Sequence, residues 1–332
     1  VILIPVLLDT LLWLGPRASI QDLVQETVDT LGVELAELQT EDMDELIQAF
    51  GTALEEAAAR YNTFSALRVG MLGLPSLISW GGANLNSPSI YESLWVSFLR
   101  LTGMPELLIS VSDARFMDTP VWQIQRQGSW LLLNIGLFAL GILIGCVYMT
   151  TIGWSLSDKE ERIPFWPKVW KLSGRFVLFW VLRAVVLTIL GIPFVLAFAV
   201  MSAINTGLAI LFTSAALGVA TWLSFYGTFI IAAMVVNDAS VWHAIWNSIS
   251  VVLRNFWSTL WLFILINLIG GGLTILWQQL SQGAWWTWIA IVSNAYIGTS
   301  LVTASLLFYQ DRYAHWQEAL AELLATQSKQ GT

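Results

Sequence analysis

Apolar positions in this chain gather into solid blocks rather than stripes. Runs near 129–154, 176–203, 208–236, 257–278 and 285–308 hold a single charged residue between them, Arg183. Each exceeds the roughly 20 residues a helix needs to cross the hydrocarbon core of a bilayer. Lipid offers no partner to a free N–H or C=O, so each run is predicted to be helical. A shorter apolar segment, Val1 to Leu14, reads as the outer part of a first helix, stopped by Gly15-Pro16-Arg17, with its inner part upstream of Val1. A cleaved signal peptide is the alternative there. The expected fold class is all-α: an integral membrane helical bundle of about six transmembrane helices.

Between the first and second apolar blocks the pattern changes. From Ala18 to Gly128 there are 15 acidic and 5 basic residues, so this insert carries more negative charge than the whole chain, whose net is −8. Apolar residues there recur at helical spacing (Ile20, Leu23, Val24, Val28, Leu31; then Leu35, Leu38, Met43, Leu46, Ile47, Phe50), and Thr40 is placed to cap the second series. Two or three amphipathic helices are expected. Phe64 to Trp80 is apolar but interrupted by Gly70, Gly73 and Pro75, too broken to face lipid, and is expected in the interface or tucked under the insert. An amphipathic helix resumes over Ser89 to Leu101. The organisation is then 1–15, a first transmembrane helix; 16–128, an acidic helical extracytoplasmic insert; 129–309, a five-helix transmembrane bundle with cytoplasmic interfacial helices; and 310–332, a cytoplasmic amphipathic tail.

Orientation follows from Lys and Arg in short loops. Ser155 to Arg175 carries Lys159, Arg162, Lys168, Lys171 and Arg175, and is placed in the cytoplasm. Asn237 to Phe256 and the tail from Gln310 then share that side, and the acidic insert faces outward. Val241 to Leu253 is expected as an interfacial helix with Val241, Trp242, Ile245, Ile249 and Val252 on its apolar side. The tail shows a stripe of Trp316, Ala319, Leu320, Leu323 and Leu324. A faint repeat pairs Phe165–Arg175 with Val241–Phe256, each preceding a two-span hairpin.

Composition sharpens this picture. Hydrophobic residues make up 56% and charged ones 11%, as in integral membrane proteins. Many of the 19 Trp (Trp13, Trp130, Trp154, Trp166, Trp170, Trp257, Trp277, Trp285, Trp286, Trp288) fall near span ends, where an amphipathic ring prefers the headgroup zone. A single Cys146 and two histidines, His243 and His315, provide no spaced ligand set, so no metal or cofactor is expected. The acids at Glu41–Glu45 lack the spacing of a calcium loop. No phosphate-cradling Gly loop or nucleophile elbow is present, and a pI near 4.7 disfavours nucleic acid.

Candidate chemistry is confined to polar residues in the spans. Asp9 and Arg183 are intramembrane charges, and they are read as a structural pair, or Arg183 as snorkelling toward the cytoplasm. Asn134, Asn267 and Asn294 are candidates for interhelical hydrogen bonds. Gly141-xxx-Gly145 suits close helix packing. Pro193 and Gly270-Gly271-Gly272 fall in the third and fifth spans and are read first as helix-packing or kink positions, with the alternative that they break those spans as transporters do to expose backbone to a substrate.

From Trp222 to Trp277 the chain combines an apolar span, a short turn at Asn237-Asp238, an amphipathic helix with Ser248 at its middle, and an Arg254-Asn255-Phe256-Trp257 exit into the next span. This stretch resembles a broad bacterial family of uncharacterised polytopic membrane proteins, including the membrane domain fused in some members to glycerophosphodiester phosphodiesterases. The resemblance implies a helical bundle with interfacial helices and little else; the expected location is a bacterial plasma membrane. It carries over no enzymatic activity, because no phosphodiesterase domain is present. The expectation is therefore a non-enzymatic membrane protein, a scaffold or subunit of a membrane complex, with the bilayer and other membrane subunits as partners. The alternative is a small-solute or lipid transporter using the polar residues of broken spans.

Overall fold

A computed structural model describes residues 1–36, 52, 62–69, 72–77, 120–157, 164–280 and 284–330. The acids at 41–45, the cap at Thr40, the helix over 89–101, and Lys159 and Arg162 lie outside them. So do the side chains of Asn267, Gly271 and Gly272. The described residues form α1 (Leu3–Leu14), β1 (Arg17–Ser19), α2 (Gln21–Ala36), a 3-10 turn (Thr63–Leu67), β2 (Val121–Gln123), α3 (Gln127–Leu156), α4 (Phe165–Ile204), α5 (Thr206–Tyr226), α6 (Ile230–Val236), α7 (Val241–Arg254), α8 (Phe256–Leu280) and α9 (Ala284–Gln330). Two compact units divide the chain: Val1–Gly145 with Gly270–Thr299, and Cys146–Ile269 with Ser300–Thr332.

The chain is predominantly helical, and among the described residues four segments are long and apolar enough to cross a membrane: Gln127–Leu156, Phe165–Ser202, Gly207–Val236 and Trp285–Glu322. A fifth arises if the bent pair Val241–Arg254 and Phe256–Gly270 is taken as one span. The sixth, expected at the N-terminus, corresponds to α1, whose 12 residues reach only about 18 Å at 1.5 Å per residue. Neither Pro193 nor the triple glycine interrupts its helix; α4 continues through Pro193 and α8 through Gly270–Gly272. In a medium without hydrogen-bonding solvent, an unbroken helix costs less than exposed backbone, even where Pro removes one bond. The tail likewise continues the last span as part of the 47-residue α9.

In the first unit, α1 ends where Pro16 cannot extend it, and the chain enters β1. This strand pairs in parallel with β2, Arg17 opposite Val121 and Ser19 opposite Gln123. Such a pair was not foreseen, because three residues per strand leave no readable alternation. Side chains complete it. Asn62 Oδ1 accepts from Ala18 N (3.1 Å) and Phe64 N (3.2 Å), and Thr63 Oγ1 donates to the Ala18 carbonyl (3.0 Å). Residues 62–69 and 72–77 are irregular apart from the 3-10 turn, yet they bury Ala66, Leu67, Val69, Leu72, Leu74 and Leu77. Glycines make room for it. A Cβ at Gly141 would strike the Leu67 carbonyl, one at Gly145 the Leu72 side chain, and one at Gly298 the ring of Pro75. The Gly141-xxx-Gly145 motif therefore serves close packing, but against a non-helical segment rather than a second helix. Leu77 packs with Ala290 and Ile291, flanked by Val6, Trp13 and Trp277.

In the second unit, α5 stops at Tyr226, and α6 begins at Ile230 after a short break. The Asn237-Asp238 turn follows, with Asp238 in the left-handed region (φ 49°). α7 then meets α8 at a bend of 102°. α7 buries Val241, Ala244, Asn247, Ser248, Val251 and Val252, while Trp242 and Trp246 are exposed. The expected apolar side, which grouped Trp242 with Val241 and Val252, is thus split. Polarity fails to mark the inner face because the outer one is also apolar. Exposed Trp166 and Trp170 on α4, and Trp257 and Trp261 on α8, repeat the same four-residue spacing.

Replacing Gly141 by Ala is expected to destabilise the protein by about 1–3 kcal/mol, the usual cost of overpacking, whereas Gly136→Ala, with open space around it, is expected to be neutral. Thermal unfolding of the two variants in the same detergent checks this.

Candidate functional site

Polar side chains in this chain converge on two places. The first is Asp9, fully buried on α1. Helical spacing puts Pro5, Leu8, Asp9 and Leu12 on its inner face. One carboxylate oxygen accepts from the Ser76 hydroxyl, the other from the Leu77 backbone N–H (2.8 Å). Asp9 thereby holds the end of the irregular segment. A carboxylate is suited to this because its two oxygens can each take a donor, here one side-chain hydroxyl and one backbone N–H. Arg183, its expected partner, lies half-buried on α4 and is assigned to the other unit. Arg68, buried at the end of the 3-10 turn, is a further charge in the first unit.

The second place is the turn after α6. Lys171 and Arg175, one helical turn apart on α4, both hydrogen-bond to Asp238. Burial by itself would raise the Asp238 carboxyl, but the two hydrogen bonds and the two positive charges outweigh it and hold it below its usual range. Asn237 Nδ2 donates to the Tyr309 hydroxyl (2.9 Å), and Asn247 also hydrogen-bonds to Tyr309. Ser248 closes the α5–α6 break. Its hydroxyl donates to the Tyr226 carbonyl (2.6 Å) and accepts from Phe229 N (3.1 Å). Arg254 stacks over Trp316, 5.2 Å from the ring centroid. Of the three stretches expected on one side of the bilayer, 237–256 therefore touches both the described part of 155–175 and the tail.

Of the remaining residues singled out in the sequence, Asn134 is half-buried on α3 and Asn294 half-buried on α9, where its Nδ2 has no hydrogen-bond partner. Sequence reading missed Asn62 and Ser76, which carry no local signal. It also left Lys171, Arg175 and Asp238 unconnected, although a basic pair at helical spacing and a single acid in the next loop on the same side could have suggested the contact. Each described contact of Asp9, Asp238 and Ser248 goes to a group that fixes backbone or joins helices.

No protein-family model, curated protein or solved structure matches the chain.

Asp9→Ala leaves the Ser76 hydroxyl and Leu77 N–H without this acceptor, at about 1–3 kcal/mol for each buried donor; Ser76→Ala should cost less, and denaturation in mixed micelles orders the two. For Asp238 the folded pKa is depressed, so its contribution is complete above the ordinary value of about 3.9 and is lost as pH falls through the folded value. Melting temperature against pH should show an acid limb that shrinks in Asp238→Asn, since Asn keeps the left-handed turn but not the charge.

Proposed function

We propose that this chain is a non-enzymatic polytopic protein of a bacterial plasma membrane, a scaffold or subunit of a membrane complex, whose acidic segment 16–128 faces outward and docks partner subunits. The observation that carries this reading is the base of that segment. β1 and β2 pair across it, Asn62 and Thr63 bind the pair, and residues 62–77 are held by Asp9 and seated on glycines of α3 and α9. A segment with a net excess of acidic residues, fastened in this way, is presented from a firm platform.

The orientation is supported by the second unit. Lys171 and Arg175 with Asp238, Asn237 with Tyr309, and Arg254 with Trp316 join the ends of two helical hairpins. Each hairpin crosses twice, so these ends belong on one face, the one marked cytoplasmic by its basic residues. The rival reading, a transporter, asks Asp9 to line a path; its engagement with Ser76 and Leu77 weighs against that.

Deleting residues 22–56 spares both strands and the segment 62–77. Partners that co-purify in fixed ratio with the full chain should be lost from this variant, and from one in which Glu41, Asp42, Asp44 and Glu45 are changed to their amides. Association unchanged in both overturns the docking role.

A further inference from the structure

A half-open cavity of about 240 Å³ lies within the second unit, walled by the corner of the α5–α6 break and by one face each of α8 and α9. Phe229 forms the corner. Thr259, Phe263 and Ile266 follow one another along α8, with Val302 and Ser305 opposite on α9. From Thr259 to Ile266 the groove runs about 10 Å along the helix, at 1.5 Å per residue. We infer that this groove seats one acyl chain of an anionic bilayer phospholipid, with the Thr259 hydroxyl bonding its ester and Arg312 facing its phosphate.

The lining rules out water as the natural occupant. A cavity of this size would take about eight waters at roughly 30 Å³ each, and the walls offer them scarcely more than a few hydroxyls. Left empty, the groove would forfeit dispersion contacts along its whole length. α9 is long and apolar enough for a bilayer and α8 is one limb of the bent pair that counts as a further span, and beside such helices the neighbouring solvent is hydrocarbon chain.

Thr259 makes the site more than a furrow filled by bulk lipid. It is 1% exposed, and its hydroxyl has no hydrogen-bond partner. Helical Thr151, Thr188 and Thr213 instead donate to the carbonyl four residues back. At Thr259 the carbonyl of Asn255 is taken by the backbone N–H (2.9 Å), and the hydroxyl does not share it. A buried hydroxyl without a partner is costly. Thr259 lies about 6 Å along α8 from the 102° bend at Asn255. If α7 lies in the headgroup zone, that depth is where ester carbonyls sit.

Charge at the mouth selects the headgroup. Phe229 stacks on Phe308 (5.7 Å), and the Arg312 guanidinium lies over Phe308 at 5.5 Å. Arg312 Nε makes no hydrogen bond and pairs with Asp311 Oδ2 at 3.7 Å. A guanidinium held on an aromatic platform is matched to a phosphate diester.

The test uses the full chain, purified in detergent, supplied with an equal mixture of phosphatidylglycerol and phosphatidylcholine, and read by native mass spectrometry. One phosphatidylglycerol should be retained. Thr259→Val should weaken its retention about three- to tenfold, the worth of one hydrogen bond; Arg312→Gln should erase the preference for phosphatidylglycerol; Val302→Trp, filling the groove, should abolish retention. Unchanged retention in Val302→Trp, or none by the wild-type chain, overturns the inference. If Val302→Trp does not fold, the wild-type chain is labelled instead with phosphatidylglycerol bearing a photoreactive acyl tail. Labels on 262–266 and 301–305 support the site; labels confined to other lipid-facing surfaces, such as Trp180–Ile189, overturn it.

Discussion

A peptide group buried away from water has only the protein itself to bond with, and the irregular features among the described residues of this chain answer that scarcity. Residues 62–69 and 72–77 are the most demanding case. Their regular structure is little more than one 3-10 turn, yet Ala66, Leu67, Val69, Leu72, Leu74 and Leu77 are buried. The fold meets the demand with Asn62 on Ala18, Thr63 on the Ala18 carbonyl, and Asp9 on Ser76 and Leu77. Glycines on α3 and α9 let the backbone come close enough for those bonds to be made.

The second unit obeys the same rule by other means. Where α5 gives way to α6, Ser248 serves both a carbonyl and an N–H freed by the break. One side chain with donor and acceptor capacity does the work of the missing helical turn. The left-handed Asp238 is fixed from outside by two cations on one face of α4. The short stretch from Gly227 to Asp238 thus stays ordered though it is neither one helix nor a loop in water.

Apolar block length made the helices over 127–156, 165–204 and 284–308 legible in the sequence, because lipid forces a simple code on spans. The amphipathic α7 was legible too, and so was its sharp exit into α8 at Arg254-Asn255. What escaped was whatever depended on contact across distant sequence. The β1–β2 pair is too short to show a period. The inner face of α7 is disguised, since Trp242 and Trp246 on the outer side are as apolar as Val241 and Val252 within. Pro193 and Gly270–Gly272, read as packing or kink positions with breaks as the alternative, lie within continuous helices, while the interruption at Gly227–Phe229 carried no signal that was read. Asp9 was recognised as important, but Ser76 could not be matched to it from a position 67 residues away.

The parallel pairing of Arg17–Ser19 with Val121–Gln123 means that the long excursion between them leaves and rejoins the membrane helices at one point. Closing such a loop costs only about 0.6 kcal/mol more for each doubling of its length. The stretches of it that lie away from 62–77 are accordingly free to be lengthened, shortened or replaced over generations without shifting the register of α1 or α3, so that this excursion and the helical frame are able to evolve on separate clocks.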